Sequence, residues 1–260
     1  MLSATLNRWL LSRATKPLVF TACLLPAAAL VYGALAQQLG ANPAETLIRS
    51  TGDWTLRMLC LVLAMTPLRV QLGWPGLARL RRMLGLYVYF YAVLHLLCYA
   101  GFDMGFEFGD IAHDIAKRPF ILVGFTAVIL LTPLAATSWN RAIRALGAAR
   151  WQRLHRLVYA VAMLAVLHFF WMRAGKNNFA EVYVYAGVLG LLLGYERAYH
   201  GRAAGMRTYA LVCMAACGVT ILVGYPDQWF GGHVAGGGTR LVTVNLSADF
   251  LGPAKIGQWL

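Results

Sequence analysis

Three of the chain's six histidines stand where a polar ring is costly. His95 lies in "YVYFYAVLHLLCYA" and His168 in "AVLHFFW", while His155 opens the apolar stretch that His168 closes. A neutral imidazole offers one lone pair and one N–H, so it can ligate a metal while its other nitrogen is tied down. Inside an apolar run such a residue is a functional candidate, against the plainer role of a neutral ring bonded to a carbonyl. His95 is about 11 residues past Leu84 and His168 about 14 past Leu154, so parallel helices would hold them at similar depth. Both are surrounded by aromatic and small apolar residues, which suit a porphyrin, and two imidazoles from neighbouring helices can ligate one haem iron. Zinc would call for a third or fourth ligand, and no carboxylate lies nearby in either run.

His155 is a separate case. It precedes His168 by 13 residues, a rise of roughly 20 Å, and on an ideal helix the two side chains point about 140° apart. A common face requires a bulge or an irregular helix start. The position 13 before His95 is Arg82, so a second haem with two histidines lacks a partner. Arg81 or Arg82 could pair with haem propionates or with a phosphate of another cofactor, or simply anchor the chain at the membrane edge. His113, His200 and His233 fall in loops or tail and read as solvated. The five cysteines lie in apolar runs without a Cys-x-x-Cys pair, so neither a disulfide framework nor a zinc site is expected.

The elements that must position these rings are membrane helices. Of 260 residues, 60% are hydrophobic and 13% charged, against about a quarter charged in soluble domains. Seven runs approach the length that crosses a bilayer: Pro17–Ala36, Thr51–Arg69, Leu84–Gly101, Pro119–Trp139, Leu154–Trp171, Phe179–Tyr195 and Thr208–Tyr225. A transmembrane barrel is excluded, since its strands alternate and are shorter. The first run has a basic lead of Arg8, Arg13 and Lys16, yet its length and the runs that follow make it a retained helix and not a cleaved signal.

The net charge of +13 reflects topology and not nucleic-acid binding. With the N-terminus in the cytoplasm, that side collects 15 Lys and Arg against Glu196 alone; the far side collects eight Lys and Arg and nine acids. Such asymmetry orients the chain with its N-terminus inside. A residual role in docking an acidic cytoplasmic partner is open. Linkers are short, as between antiparallel neighbours. Pro67 and Pro133 are placed to kink their helices. "GVLGLLLG" suits close helix packing. No internal repeat or phosphate loop is seen. The tail after Tyr225 is Gly-rich, then strand-like at Arg240–Leu246, and falls on the far side.

Several motifs occur in an order that resembles the MsrQ family, formerly YedZ. They are "GANPAE", "TG" (Thr51–Gly52), "RRMLGLY…LH" (Arg81–His95), "KRPFILVG" (Lys117–Gly124), "WQRLHRLVY" and "LHFFW", between about Leu18 and Arg197. The resemblance implies a ferric-reductase-like transmembrane fold and a haem b subunit of a bacterial inner-membrane system. It implies electron delivery to a periplasmic molybdopterin partner of the MsrP type that reduces methionine sulfoxide in oxidised proteins. FMN is implied as a further cofactor, and the quinone pool or a cytosolic flavin reductase as donor. The family's histidines fall on His95, His155 and His168. Members usually end after six spans, so the seventh run and the tail inherit no role.

The expected architecture is an all-α polytopic bundle: a cytoplasmic start over residues 1–16, a six-span haem-binding core over 17–200, an added span over 201–225, and a periplasmic tail over 226–260. His95 and His168 are expected to ligate haem b, with His155 and Arg82 serving a second, cytoplasm-side cofactor. No nucleophile or acid–base pair suggests that the chain itself reduces a sulfoxide. A stand-alone ferric or oxygen reductase would want a fused flavin and nucleotide domain, which the chain lacks. A proton-coupled transporter would want carboxylates or broken helices at mid-membrane. A purely structural anchor would be indifferent to His95→Ala.

Overall fold

A computed structural model describes residues 2–174 and 179–199 of the chain. The seventh run, the tail, His200, His233, Cys213 and Cys217 lie outside the described residues. The rest is helical: α1 (Leu2–Leu11), α2 (Thr15–Leu35), α3 (Pro43–Gln71), α4 (Ala78–Cys98), α5 (Phe108–Lys117), α6 (Pro119–Ala136), α7 (Asn140–Leu146), α8 (Ala148–His155), α9 (Leu157–Ala174) and α10 (Ala180–Tyr199). A 3-10 turn over Pro75–Leu77 leads into α4, and a π-turn over Tyr99–Asp103 leaves it.

Local chemistry sets several of these boundaries. The Asn42 side chain accepts the Glu45 N–H at 3.2 Å and donates to the Glu45 carboxylate at 3.3 Å, with Pro43 at the first helical position. This reciprocal cap, with a proline whose missing N–H costs nothing there, fixes the start of α3. After the Pro75–Gly76 turn, the basic run Arg79–Arg82 is already helix, so α4 begins ahead of the apolar run that starts at Leu84. Pro67 and Pro133 lie inside α3 and α6.

Helices α3, α4, α6, α9 and α10 pack in sequence, and α10 returns to α3, closing a ring. The short α5 lies against α6 at one end of it. Helix α2 sits outside the ring against α3 and α4. There Tyr91, fully buried, inserts its hydroxyl into the α2 ladder beside Pro26: it donates to Cys23 O at 2.7 Å and accepts the Ala27 N–H at 3.2 Å. Tyr87 donates to Phe20 O at 2.8 Å one turn away. Satisfying backbone groups this way is what lets a proline sit in a helix that faces lipid.

The chain is a multi-pass membrane protein. Four helices among the described residues are long and apolar enough to cross a bilayer: Thr15–Leu35, Pro75–Asp103, Pro119–Ala136 and Ala148–Arg173; Ala180–Tyr195 is a shorter apolar helix. Helix α3 is long but carries Asp53 and Arg57 in its first half, which lowers its hydropathy although it packs closely on α4. Large apolar side chains point outward, among them Val31, Tyr32, Ile129, Met163 and Val184. A lipid-facing surface needs no polar cover.

Candidate functional site

The ring of helices encloses a cavity lined by α3, α4, α6 and α9, with Tyr99, Asp103, Ile115 and Arg118 at one mouth. His95 from α4 and His168 from α9 face each other across it, their ring centroids 6.1 Å apart and their planes at 74°. The Nδ1–H of His95 donates to Ile48 O at 2.8 Å, and the Nδ1–H of His168 donates to Phe120 O at 2.7 Å. A carbonyl only accepts, so the proton of each ring sits on Nδ1 and Nε2 keeps its lone pair. Thr51 Oγ1 lies 3.4 Å from the His95 Nδ1 and bonds the Leu47 and Ile48 carbonyls.

The two half-sites share one construction. In an α-helix the carbonyl of residue i takes the N–H of residue i+4. Four residues after Ile48 stands Gly52, and four after Phe120 stands Gly124. Each glycine lets the imidazole of the adjacent helix lie against the helix wall and reach that carbonyl. A Cβ on Gly52 would stand 3.2 Å from His95 Cε1; one on Gly124 would stand 2.8 Å from His168 Nδ1. The pairs α3–α4 and α6–α9 therefore repeat each other in geometry: carbonyl, glycine four on, histidine on the next long helix. No repeat is visible in the sequence, because little beyond the glycine and the histidine coincides.

Two imidazoles so placed fit a six-coordinate iron. A metal–imidazole bond of about 2.0–2.1 Å, with a ring nitrogen about 1.1 Å from its centroid, sets two opposed ligands about 6.3 Å apart between centroids. The observed 6.1 Å matches that separation. The walls supply apolar surface for a flat macrocycle, including Leu56, Leu59, Val88, Leu131 and Val161, all buried. No group of three or more His, Cys, Asp or Glu able to hold a metal ion occurs among the described residues.

Charged side chains gather at the mouth alone. Arg49, Asp53, Asp103, Arg118 and Arg173 line it. Arg173 bonds Glu181 at 2.5 Å and lies 3.8 Å from Asp53; Arg118 pairs with Asp114 at 2.9 Å and Arg49 with Glu45 at 2.7 Å. Asp114 is buried and also accepts from Tyr99 Oη at 2.7 Å, which pins α5 to the end of α4. Sequence reasoning had counted these arginines only as charge. The two glycines and Arg118 do fall in the motifs "TG" and "KRPFILVG", and this geometry gives those motifs a physical meaning.

His155 and Arg82 do not join this cavity. The chain breaks helix at Arg156, between α8 and α9, the irregular start that His155 required. His155 donates from Nδ1 to Trp151 O at 3.0 Å, stacks on the Trp151 ring at 3.9 Å, and has Ser138 Oγ 3.5 Å from Nε2. Arg82, exposed, donates to Asn140 Oδ1 at 2.6 Å. Neither faces a second histidine among the described residues.

Comparison with known proteins identifies the family. The family described as ferric reductase like transmembrane component matches residues 51–166, which contain His95 and His155 and end two residues before His168. The MgtC family matches residues 183–256, mostly beyond the described residues. A protein of Polaromonas naphthalenivorans is 68% identical over 190 residues, 73% of this chain and 87% of that protein. Proteins of Herminiimonas arsenicoxydans and Bordetella pertussis are 50% and 49% identical, over 68% and 73% of this chain and 82% and 92% of their own lengths. All three are named protein-methionine-sulfoxide reductase heme-binding subunit MsrQ. No solved structure matches the chain. With the ring, the paired histidines and these relatives together, the chain belongs to the MsrQ family.

Proposed function

We propose that this chain is the haem b-binding, electron-transferring membrane subunit of a protein-methionine-sulfoxide reductase. The observation that carries the reading is the pair of opposed imidazoles, 6.1 Å apart, each with Nδ1 tied to a helix carbonyl and Nε2 free to ligate. Bound there, haem b would accept and release single electrons within the membrane. His95 and His168 would hold its iron through their Nε2 atoms, and iron so ligated would exchange electrons and not bind substrate. Ile48 and Phe120 fix the tautomer and orientation of the two rings. The surrounding α3, α4, α6 and α9 exclude water.

The chemistry on methionine sulfoxide would then belong to a partner, a periplasmic molybdopterin subunit of the MsrP type; the relatives' name, a heme-binding subunit of a reductase, supports a separate catalytic subunit. Electrons would enter from the quinone pool or from a cytosolic flavin reductase. The chain would sit in the bacterial inner membrane, N-terminus in the cytoplasm, in contact with lipid. His155 at the end of α8 and Arg82 in the first turns of α4 would serve a second cofactor on the cytoplasmic side, with FMN as the family's candidate.

The test is a dithionite-reduced minus oxidised visible spectrum of the purified protein beside His95→Ala and His168→Ala. A sharp b-type α band that both substitutions abolish is the expected result. A well-folded wild type without haem would refute the reading.

A further inference from the structure

We infer that the cavity takes its tetrapyrrole in one orientation, with the two carboxylate side chains at the mouth ringed by Arg49, Arg118 and Arg173, and that Arg173 is the positioning cation for them. This rests on the haem reading above and adds which edge of the macrocycle faces which end of the bundle.

The cavity is strongly asymmetric. Away from the mouth its walls are Leu59, Val88, Leu131 and Val161, with no charged side chain. A carboxylate pushed to that end would be desolvated without a partner, which is strongly unfavourable. At the mouth three guanidinium groups line the same space as the histidines. Arg173 is the best shielded of them, its side chain 18% exposed against 54% for Arg118. It stands five residues after His168 on α9, about 7.5 Å further along the axis. Its guanidinium packs over the Phe169 ring at 5.0 Å and is held by Glu181 from α10. Glu181 engages only one terminal nitrogen, and Asp53 at 3.8 Å is an ion pair beyond hydrogen-bond reach. A planar guanidinium has five N–H donors, so donors remain for an incoming carboxylate in a fixed geometry. The mouth holds acids as well as arginines, so recognition comes from these directed donors and not from a net positive field.

The test compares protohaem with its dimethyl ester, which lacks the two charges, by titration into the full chain purified in detergent and stripped of haem. Wild type should bind protohaem about tenfold or more tightly than the ester, the effect of a charge-assisted contact. Arg173→Gln should remove most of that preference by weakening protohaem while leaving the ester unchanged, and Arg118→Gln should remove less. Equal wild-type affinity for the two haems, or Arg173→Gln weakening both alike, would overturn the orientation while leaving the haem reading intact. Failure of either haem to give a six-coordinate spectrum in wild type would overturn the haem reading and the orientation with it.

Discussion

His168 and His155 flank the same stretch of chain, thirteen residues apart, yet the structure treats them as opposites. The His168 ring leaves its own helix, bonds Phe120 O on α6, and stands 6.1 Å from the His95 ring. His155 stays on its own helix, bonded to Trp151 O four residues back and stacked on the Trp151 ring. What separates an opposed pair of ligands from a histidine held alone is not depth in an apolar run. It is a bond to a neighbouring helix that fixes Nδ1, and a glycine that lets the ring approach it.

The largest expected effects come from removing one member of the opposed pair. His95→Ala or His168→Ala should abolish the b-type α band, while His155→Ala should leave the signal of the opposed pair in place; equal loss in all three variants, read by difference spectroscopy, would erase the contrast between the two ends. Next come the glycines. Gly124→Ala puts a methyl 2.8 Å from His168 Nδ1 and should cut haem retention severely, about tenfold or more; Gly52→Ala, with 3.2 Å to the His95 ring, should cost less. Haem-to-protein ratios after purification rank them, and the opposite order would mean that the ring approach is not what the glycines serve. A smaller effect follows at Tyr91. Tyr91→Phe removes the hydroxyl bridging Cys23 O and Ala27 N–H, at a cost of about 1–3 kcal/mol of stability, with the haem spectrum unchanged. A thermal unfolding series with absorbance readout separates the two. The smallest change is expected for Arg82→Ala, whose Asn140 contact lies far from the pair and whose loss should leave the α band of the pair unaltered.

The pairing of His95 with His168 was legible because membrane helices make depth readable along the sequence, and because polar rings stand out in apolar runs. The break at Arg156 is the kind of irregular start that a common face for His155 and His168 would need, yet His155 stays out of the cavity that His168 lines. The glycines were not legible, since Gly52 and Gly124 gain meaning only from the rings on the next helices, 43 and 44 residues later in the chain. Arg173 was equally silent: it reads as a membrane-edge cation until Glu181 from α10 and Asp53 from α3 close around it. Arg82 stands out in the sequence by its register with His95, while its bond to Asn140 at the start of α7 is visible only in the fold. Hydropathy marks where α4 becomes apolar and not where it begins: the six residues Ala78–Met83, three of them arginine, already wind as helix before Leu84.

The most direct test of the opposed pair is a low-temperature electron paramagnetic resonance spectrum of the ferric protein. Imidazole planes at 74° leave the two iron orbitals that bond to them nearly equal in energy, so the account predicts a highly anisotropic low-spin signal with one dominant large-g feature. That signal should persist in His155→Ala and vanish in His95→Ala and His168→Ala. A high-spin signal in wild type, or a low-spin signal that survives loss of His95 or His168, would contradict the account.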